Sequence, residues 1–113
     1  MTVYYVDDGG SNTFPYDTWE KAAPTLAALQ AGAGTSLTTD GNIIYIGADS
    51  VSSNDASGAN ITFTGPSNGN VRVISATVGT TTYAKSSSNQ ILVVGGDFKI
   101  IFNGGFELLG LRM

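Results

Sequence analysis

The 113-residue sequence predicts a mainly β domain with one short helical segment near its start. Three observations carry this expectation. Gly, Ser, Thr and Asn are abundant, with 15 glycines, while only 12% of residues are charged, about half the share in an average soluble protein. Short runs of β-branched and aromatic residues recur between Gly-, Ser- and Asn-rich stretches, as strands do between turns. One stretch near the start, Asp17 to Gln30, has its apolar residues at three- and four-residue spacing instead. The length suits a single domain, 1–113. Residues 1–47 supply a capping strand, a helix and a further strand, and residues 48–113 supply strands only.

Taken in order, Thr2 to Val6 reads as a strand, ended by the turn Asp7-Asp8-Gly9-Gly10-Ser11-Asn12. Asp17-Thr18-Trp19-Glu20 has an N-cap acceptor with Glu three residues on, the carboxylate variant of a capping box. Pro24 breaks a helix interior but suits a first helical position. The spacing therefore predicts a short turn over 17–22 and a helix over 24–31 closed by Gly32. Trp19, Ala23, Leu26 and Gln30, with Ala22 and Leu29 beside them, form a face that covers the end of a sheet. Ile43-Ile44-Tyr45-Ile46 is continuously apolar, as in a strand buried on both faces or at the end of a layer. Ile61–Thr64, Val71–Ser75 and Gln90–Val94 read as further strands, separated by polar loops.

The last quarter carries a short repeat. Gly95-Gly96-Asp97-Phe98-Lys99-Ile100-Ile101 is echoed by Gly104-Gly105-Phe106-Glu107-Leu108-Leu109. Even spacing with Gly-rich corners is a solenoid signature. In each repeat Phe and the second aliphatic residue face inward, and Lys99 or Glu107 outward. Asn103-Gly104 is equally a hairpin signal, and the dipeptide alone decides between neither.

Charge and residue usage narrow the function. The net charge is −4 with five basic residues, so there is no basic stripe for nucleic acid and none for an anionic membrane. No apolar run approaches the length of a membrane span. The start, Met1 to Asp8, has neither the basic nor the apolar region of a secretory signal. Cys and His are both absent. Disulfides and thiolate metal sites are therefore excluded, together with the commonest general base and the commonest zinc ligand. Asp7, Asp8, Asn12 and Asp17 offer oxygens but lack the regular spacing of a known calcium loop.

The opening stretch resembles a known family start. Tyr4-Tyr5-Val6-Asp7, the Gly/Ser/Asn turn, Asp17-Thr18-Trp19, the alanine-rich helix around Leu26 and Leu29, and Asn42-Ile43-Ile44-Tyr45-Ile46 look like the N-terminal cap and first coil of pectate-lyase-like right-handed parallel β-helix proteins. Phe98 to Leu111 resembles their later coils. The resemblance covers about half of the chain and implies a short right-handed parallel β-helix with an N-terminal capping helix. A jelly-roll-like β-sandwich is the alternative fold.

Enzymes of that family cleave acidic polysaccharides with clustered Asp residues, calcium and a basic residue, or hydrolyse glycosides with paired carboxylates. About two coils leave almost no groove here. Arg72 and Arg112 alone suit the basic role, and Asp97 with Glu107 is the one carboxylate pair in the repeat. No family motif maps onto this chain residue by residue. No catalytic, cofactor-binding or metal-binding residue is therefore assigned, and no cofactor is expected. The same cap also occurs in bacteriophage tailspikes, head fibres and capsid decorations. A low-charge surface rich in Ser, Thr, Asn and Gly fits that class, as does an apolar C-terminal stretch with no cap after it. The expectation is a non-enzymatic virion protein, assembled in the host cytoplasm, that binds the major capsid protein, another virion protein or its own copies. Its interface is expected at Phe106, Leu108, Leu109, Leu111 and Met113. The alternative is the N-terminal cap of a longer carbohydrate-active β-helix enzyme. Tyr4, Tyr5, Tyr16 and Trp19 suit stacking on a sugar, but their place in the cap favours burial.

Overall fold

The computed structural model describes residues 2–48, 61–84 and 100–110. Its elements are β1 (Val3–Val6), α1 (Leu26–Ala33), a 3₁₀ turn (Gly34–Thr38), β2 (Ile43–Gly47), β3 (Ile61–Thr64), β4 (Val71–Ala76), β5 (Ile100–Asn103) and β6 (Phe106–Leu109). They form a four-stranded sheet in the order β1-β2-β4-β6 and a two-stranded sheet of β3 and β5. Every ladder between these strands is parallel. Parallel neighbours cannot be joined by a hairpin. The path from β2 to β4 passes through β3 in the other sheet, and the path from β4 to β6 passes through β5.

The molecule is thus mainly sheet, with parallel strands and one short helix. The expected β-helix is not shown: among the described residues the four-stranded sheet is open. The antiparallel pairing of a jelly roll is absent from the named strands. Asn103-Gly104 is not a hairpin turn, since β5 and β6 lie in different sheets. The positive φ at this corner belongs to Gly104, at 86°. The strand expected at Gln90–Val94, and the first repeat through Lys99, lie outside the described residues.

Strand alternation sorts the side chains. Tyr4 and Val6 on β1, Ile44 and Ile46 on β2, and Val71 and Val73 on β4 point into one core with Leu26, Leu29, Leu37 and Phe63. Val3, Tyr5, Ile43 and Tyr45 face the other way and are half-buried. The continuous apolar run of β2 therefore has one sealed face and one partly covered face. Phe102 stacks on Phe63 at 5.3 Å and meets Phe106 edge-on at 5.1 Å, extending the core toward β6.

The helix begins later than its sequence suggests. Thr25 is the N-cap, and its hydroxyl accepts the Ala28 N–H at 3.0 Å. Asp17 is no cap; its exposed carboxylate lies 3.7 Å from Lys21. Thr18 takes the local acceptor role instead, receiving the Lys21 N–H at 3.2 Å. The reason is tertiary. Ala23 bridges Val6 in extended conformation, and a residue before proline disfavours the helical region. No helix starts before Pro24, as expected, and the Thr25 cap sets the start two residues later, at Leu26. At the other end Gly34, with φ 63°, closes α1, and Gly32 lies inside it, against the Tyr16 ring. The outer edge of β1 is covered by the loop that follows it. Tyr5 donates to the Tyr16 carbonyl at 2.9 Å, Ala23 to Tyr5 at 3.1 Å, and Asp7 to Ala23 at 2.9 Å.

One buried polar side chain joins these pieces. Asn42 is 2% exposed. Its Oδ1 accepts the Thr2 N–H at 2.8 Å, and its Nδ2 donates to the carbonyls of Ser36 at 2.9 Å and Leu37 at 3.2 Å. Two corners also pack backbone on backbone. Gly65 donates to Asn103 at 2.7 Å, Gly105 to Pro66 at 3.2 Å, and Val71 to Gly105 at 2.8 Å. A Cβ at Gly105 would collide with the Gly69 carbonyl.

Asn42→Ala removes the side-chain partner of three backbone groups, that of Leu37 buried, and is expected to lower stability by about 1–3 kcal/mol, read as a lower denaturant midpoint at unchanged slope. Gly105→Ala is expected to cost about 1–3 kcal/mol through overpacking, measured the same way.

Candidate functional site

The parallel register builds a row across the outer face of the four-stranded sheet. Tyr5, Tyr45, Ile74 and Leu109 stand at matched positions on β1, β2, β4 and β6. Trp19 extends the row beyond β1, with its ring 4.8 Å from that of Tyr5, and Tyr5 stacks on Tyr45 at 5.6 Å. Trp19 is thus half-buried on the outer face and does not seal the core beside Leu26. The expected burial of the cap aromatics holds for Tyr4 and Tyr16, which are in the core, and not for Tyr5 and Trp19.

Residues 77–84 run along one side of this row. The Trp19 Nε1–H donates to the Thr80 carbonyl at 2.9 Å. Between this segment and the sheet lies a trough of about 430 Å³, lined by Tyr45, Arg72, Ile74, Thr81, Tyr83 and Leu109. Its floor is apolar, and hydroxyls and one guanidinium stand at its walls. Arg72 Nε lies 3.9 Å from Glu107 Oε1, with both side chains about half exposed, a separation at which water screens most of the attraction. Asn70 Nδ2 reaches the other Glu107 oxygen at 3.5 Å.

A second cavity of about 350 Å³ lies between α1, the 3₁₀ turn and β3, lined by Gln30, Leu37, Thr38, Thr62 and Phe63 among others. Gln30 Nε2 donates across it to the Thr62 carbonyl at 2.5 Å. No ionisable side chain lines it.

The trough has groups for binding and no nucleophile paired with a base. Ser75 is fully buried, and its hydroxyl has no hydrogen-bond partner, but it faces the apolar core. Among the described residues no group of three or more Asp and Glu gathers to hold a metal ion. Asp7 turns its Oδ2 to the Gly9 N–H at 3.3 Å. Asp97 and Arg112 lie outside the described residues.

The residues expected at an interface are split by the structure. Phe106 is half-buried on the core side beside Phe102. Leu108 is 42% exposed. Leu109 lines the trough on the opposite face, and Leu111 and Met113 lie outside the described residues. Tyr45, Ile74 and Tyr83 had no place in the sequence-based site, and Arg72 entered only as one of two residues suited to a basic role. Two-residue alternation puts Tyr45 on one face of β2, and Arg72 with Ile74 on one face of β4. The register that brings these faces together is not written in either strand.

No protein-family model matches the chain, and neither a curated protein nor a solved structure matches it. The resemblance to the pectate-lyase-like start rests on this chain's own residues.

The Tyr5 phenol is pushed above its ordinary pKa, first by burial and then by the nearby Tyr45 and Asp17. The folded state therefore holds this proton more tightly than the unfolded chain, so its stabilising contribution is complete below about pH 10 and is lost as pH rises through the folded value. Thermal unfolding between pH 8 and 11.5 is expected to show a decline above about pH 10 that is shallower in Tyr5→Phe.

Proposed function

We propose that this chain is a non-enzymatic bacteriophage virion protein, a capsid-decorating or fibre-type domain that binds the major capsid protein, another virion protein or its own copies. The observation that carries the reading is the difference between the two ends of the four-stranded sheet. The outer edge of β1 is hydrogen-bonded by Tyr16 and Ala23. At the other end β6 is the last strand, with no strand beside it among the described residues, and Leu108 is exposed there. An unpaired strand edge next to an exposed aliphatic side chain is a template for association. In this reading Phe106, Leu108, Leu109, Leu111 and Met113 form the interface. The virion is then the site of action.

The proposed fold is a short right-handed parallel β-helix capped by residues 1–47. Its support is the alternation of β2, β3, β4, β5 and β6 between two parallel sheets, together with the strong preference of parallel crossovers for the right hand. The second reading, the cap of a longer carbohydrate-active β-helix enzyme, is favoured by one observation, the tyrosine-lined trough beside Arg72.

Mass spectrometry of purified particles from the source of the sequence is expected to find the chain in many copies per particle. Its absence, or depolymerising activity of the purified protein on a polysaccharide, would overturn the proposal. On shells prepared without the chain, Leu108→Lys is expected to weaken re-binding about tenfold or more, the loss of one interface anchor.

A further inference from the structure

The segment over residues 77–84 is bonded mainly to itself. Thr80 N–H and its hydroxyl both donate to the Thr77 carbonyl, at 3.0 and 2.9 Å. Thr82 N–H donates to the Thr80 hydroxyl at 3.1 Å, and Thr77 N–H to the Thr82 carbonyl at 3.1 Å. At its base Ala84 N–H returns to the Ser75 carbonyl at 3.1 Å, and Tyr83 bridges Ala76 in antiparallel fashion. The segment is therefore a closed loop standing on the end of β4.

Little of it is packed down. Residues 77–83 are all exposed, so apolar burial does not fix the loop's position. Among the described residues, two contacts beyond β4 do. The Tyr83 ring lies close over Gly110, and the Thr80 carbonyl accepts the indole N–H of Trp19, 61 residues away in the chain. Trp19 is itself anchored by its ring contact with Tyr5. Thr81 and Tyr83 are one wall of the trough.

From this arrangement we infer that residues 77–84 are a strap over the outer face, latched by the Trp19–Thr80 hydrogen bond, and that the strap lifts to widen the trough while the sheet beneath stays folded. One hydrogen bond to a half-exposed donor shifts such an equilibrium by about two- to tenfold, so the closed strap is favoured yet opens readily. Local opening of weakly packed segments is a general property of folded chains. The latch also joins the capping loop, through Trp19, to the connection after β4, so the strap reports on the state of both.

The chain has a single tryptophan, and its indole proton gives one resolved NMR signal. In the wild-type protein this proton is expected to exchange with solvent at least about tenfold faster than the amides of Ile44 and Val73, through local opening. Exchange at the same rate as those core amides would overturn the inference, because the latch would then open only with global unfolding. Trp19→Phe keeps the ring on Tyr5 and removes the donor. Heteronuclear NOEs are expected to fall in residues 78–82 of this variant and to stay unchanged in β1, β2 and β4. Unchanged values in the strap would show that its own bonds hold it, and a fall across all three strands would show that Trp19 seals the sheet. Either result overturns the latch. The indole exchange is measured on the wild type and is independent of how the variant folds.

Discussion

The buried amide of Asn42 is the contact on which the rest of this architecture depends. Parallel strands need their starts brought level by something other than a tight turn. Asn42 stands just before β2 and takes hold of Thr2 before β1 and of the 3₁₀ turn that follows α1. Its own carbonyl accepts the Arg72 N–H of β4 at 3.0 Å. One residue thus aligns three neighbouring strands. A buried amide that lost a partner would face the full cost of desolvation. The alignment is therefore specified, where an apolar side chain would tolerate slippage.

Much of the fold was legible because strands announce themselves locally. Runs such as Ile61–Thr64 and Val71–Ser75, bounded by Gly, Pro and Asn, fold where their composition places them. The capping role read into Asp17 was misplaced, because Asp17-Thr18-Trp19-Glu20 satisfies a local capping rule that tertiary structure overrides. The pairing of Ala23 with Val6 occupies the backbone that an earlier helix would need. Asn103-Gly104 carried a hairpin signal for the same kind of reason. A dipeptide specifies a sharp corner and a positive φ, but not whether the chain returns beside itself or passes to another sheet.

The outer-face trough was half legible. Tyr45, Arg72 and Ile74 stand on predictable faces of predictable strands, but their convergence follows from a register fixed by Asn42 and the corners. Tyr83 stands in a polar stretch with no periodicity. Trp19 was noted and then assigned to the core side, because helical spacing joins it to Leu26. With no helix through residue 19, that spacing has no meaning. The apolar C-terminal run was read as one surface. Alternation along β6 divides it, sending Phe106 toward the core and Leu109 to the trough.

The glycine corners carry a consequence for how this chain can vary. The corner between β3 and β4 is six residues long, and residues 67–70 are exposed. The corner between β5 and β6 is two residues, both glycine, lying on the backbone of the first. The wide corner is an elastic position, where insertions extend into solvent and leave both sheets in step. The narrow corner is a fixed gauge. Lengthening it by one residue would move β6 out of phase, exchanging the environments of Phe106 and Glu107 in one step. A change of length is thus accommodated at one of two adjacent corners, and the second sets the spacing between layers.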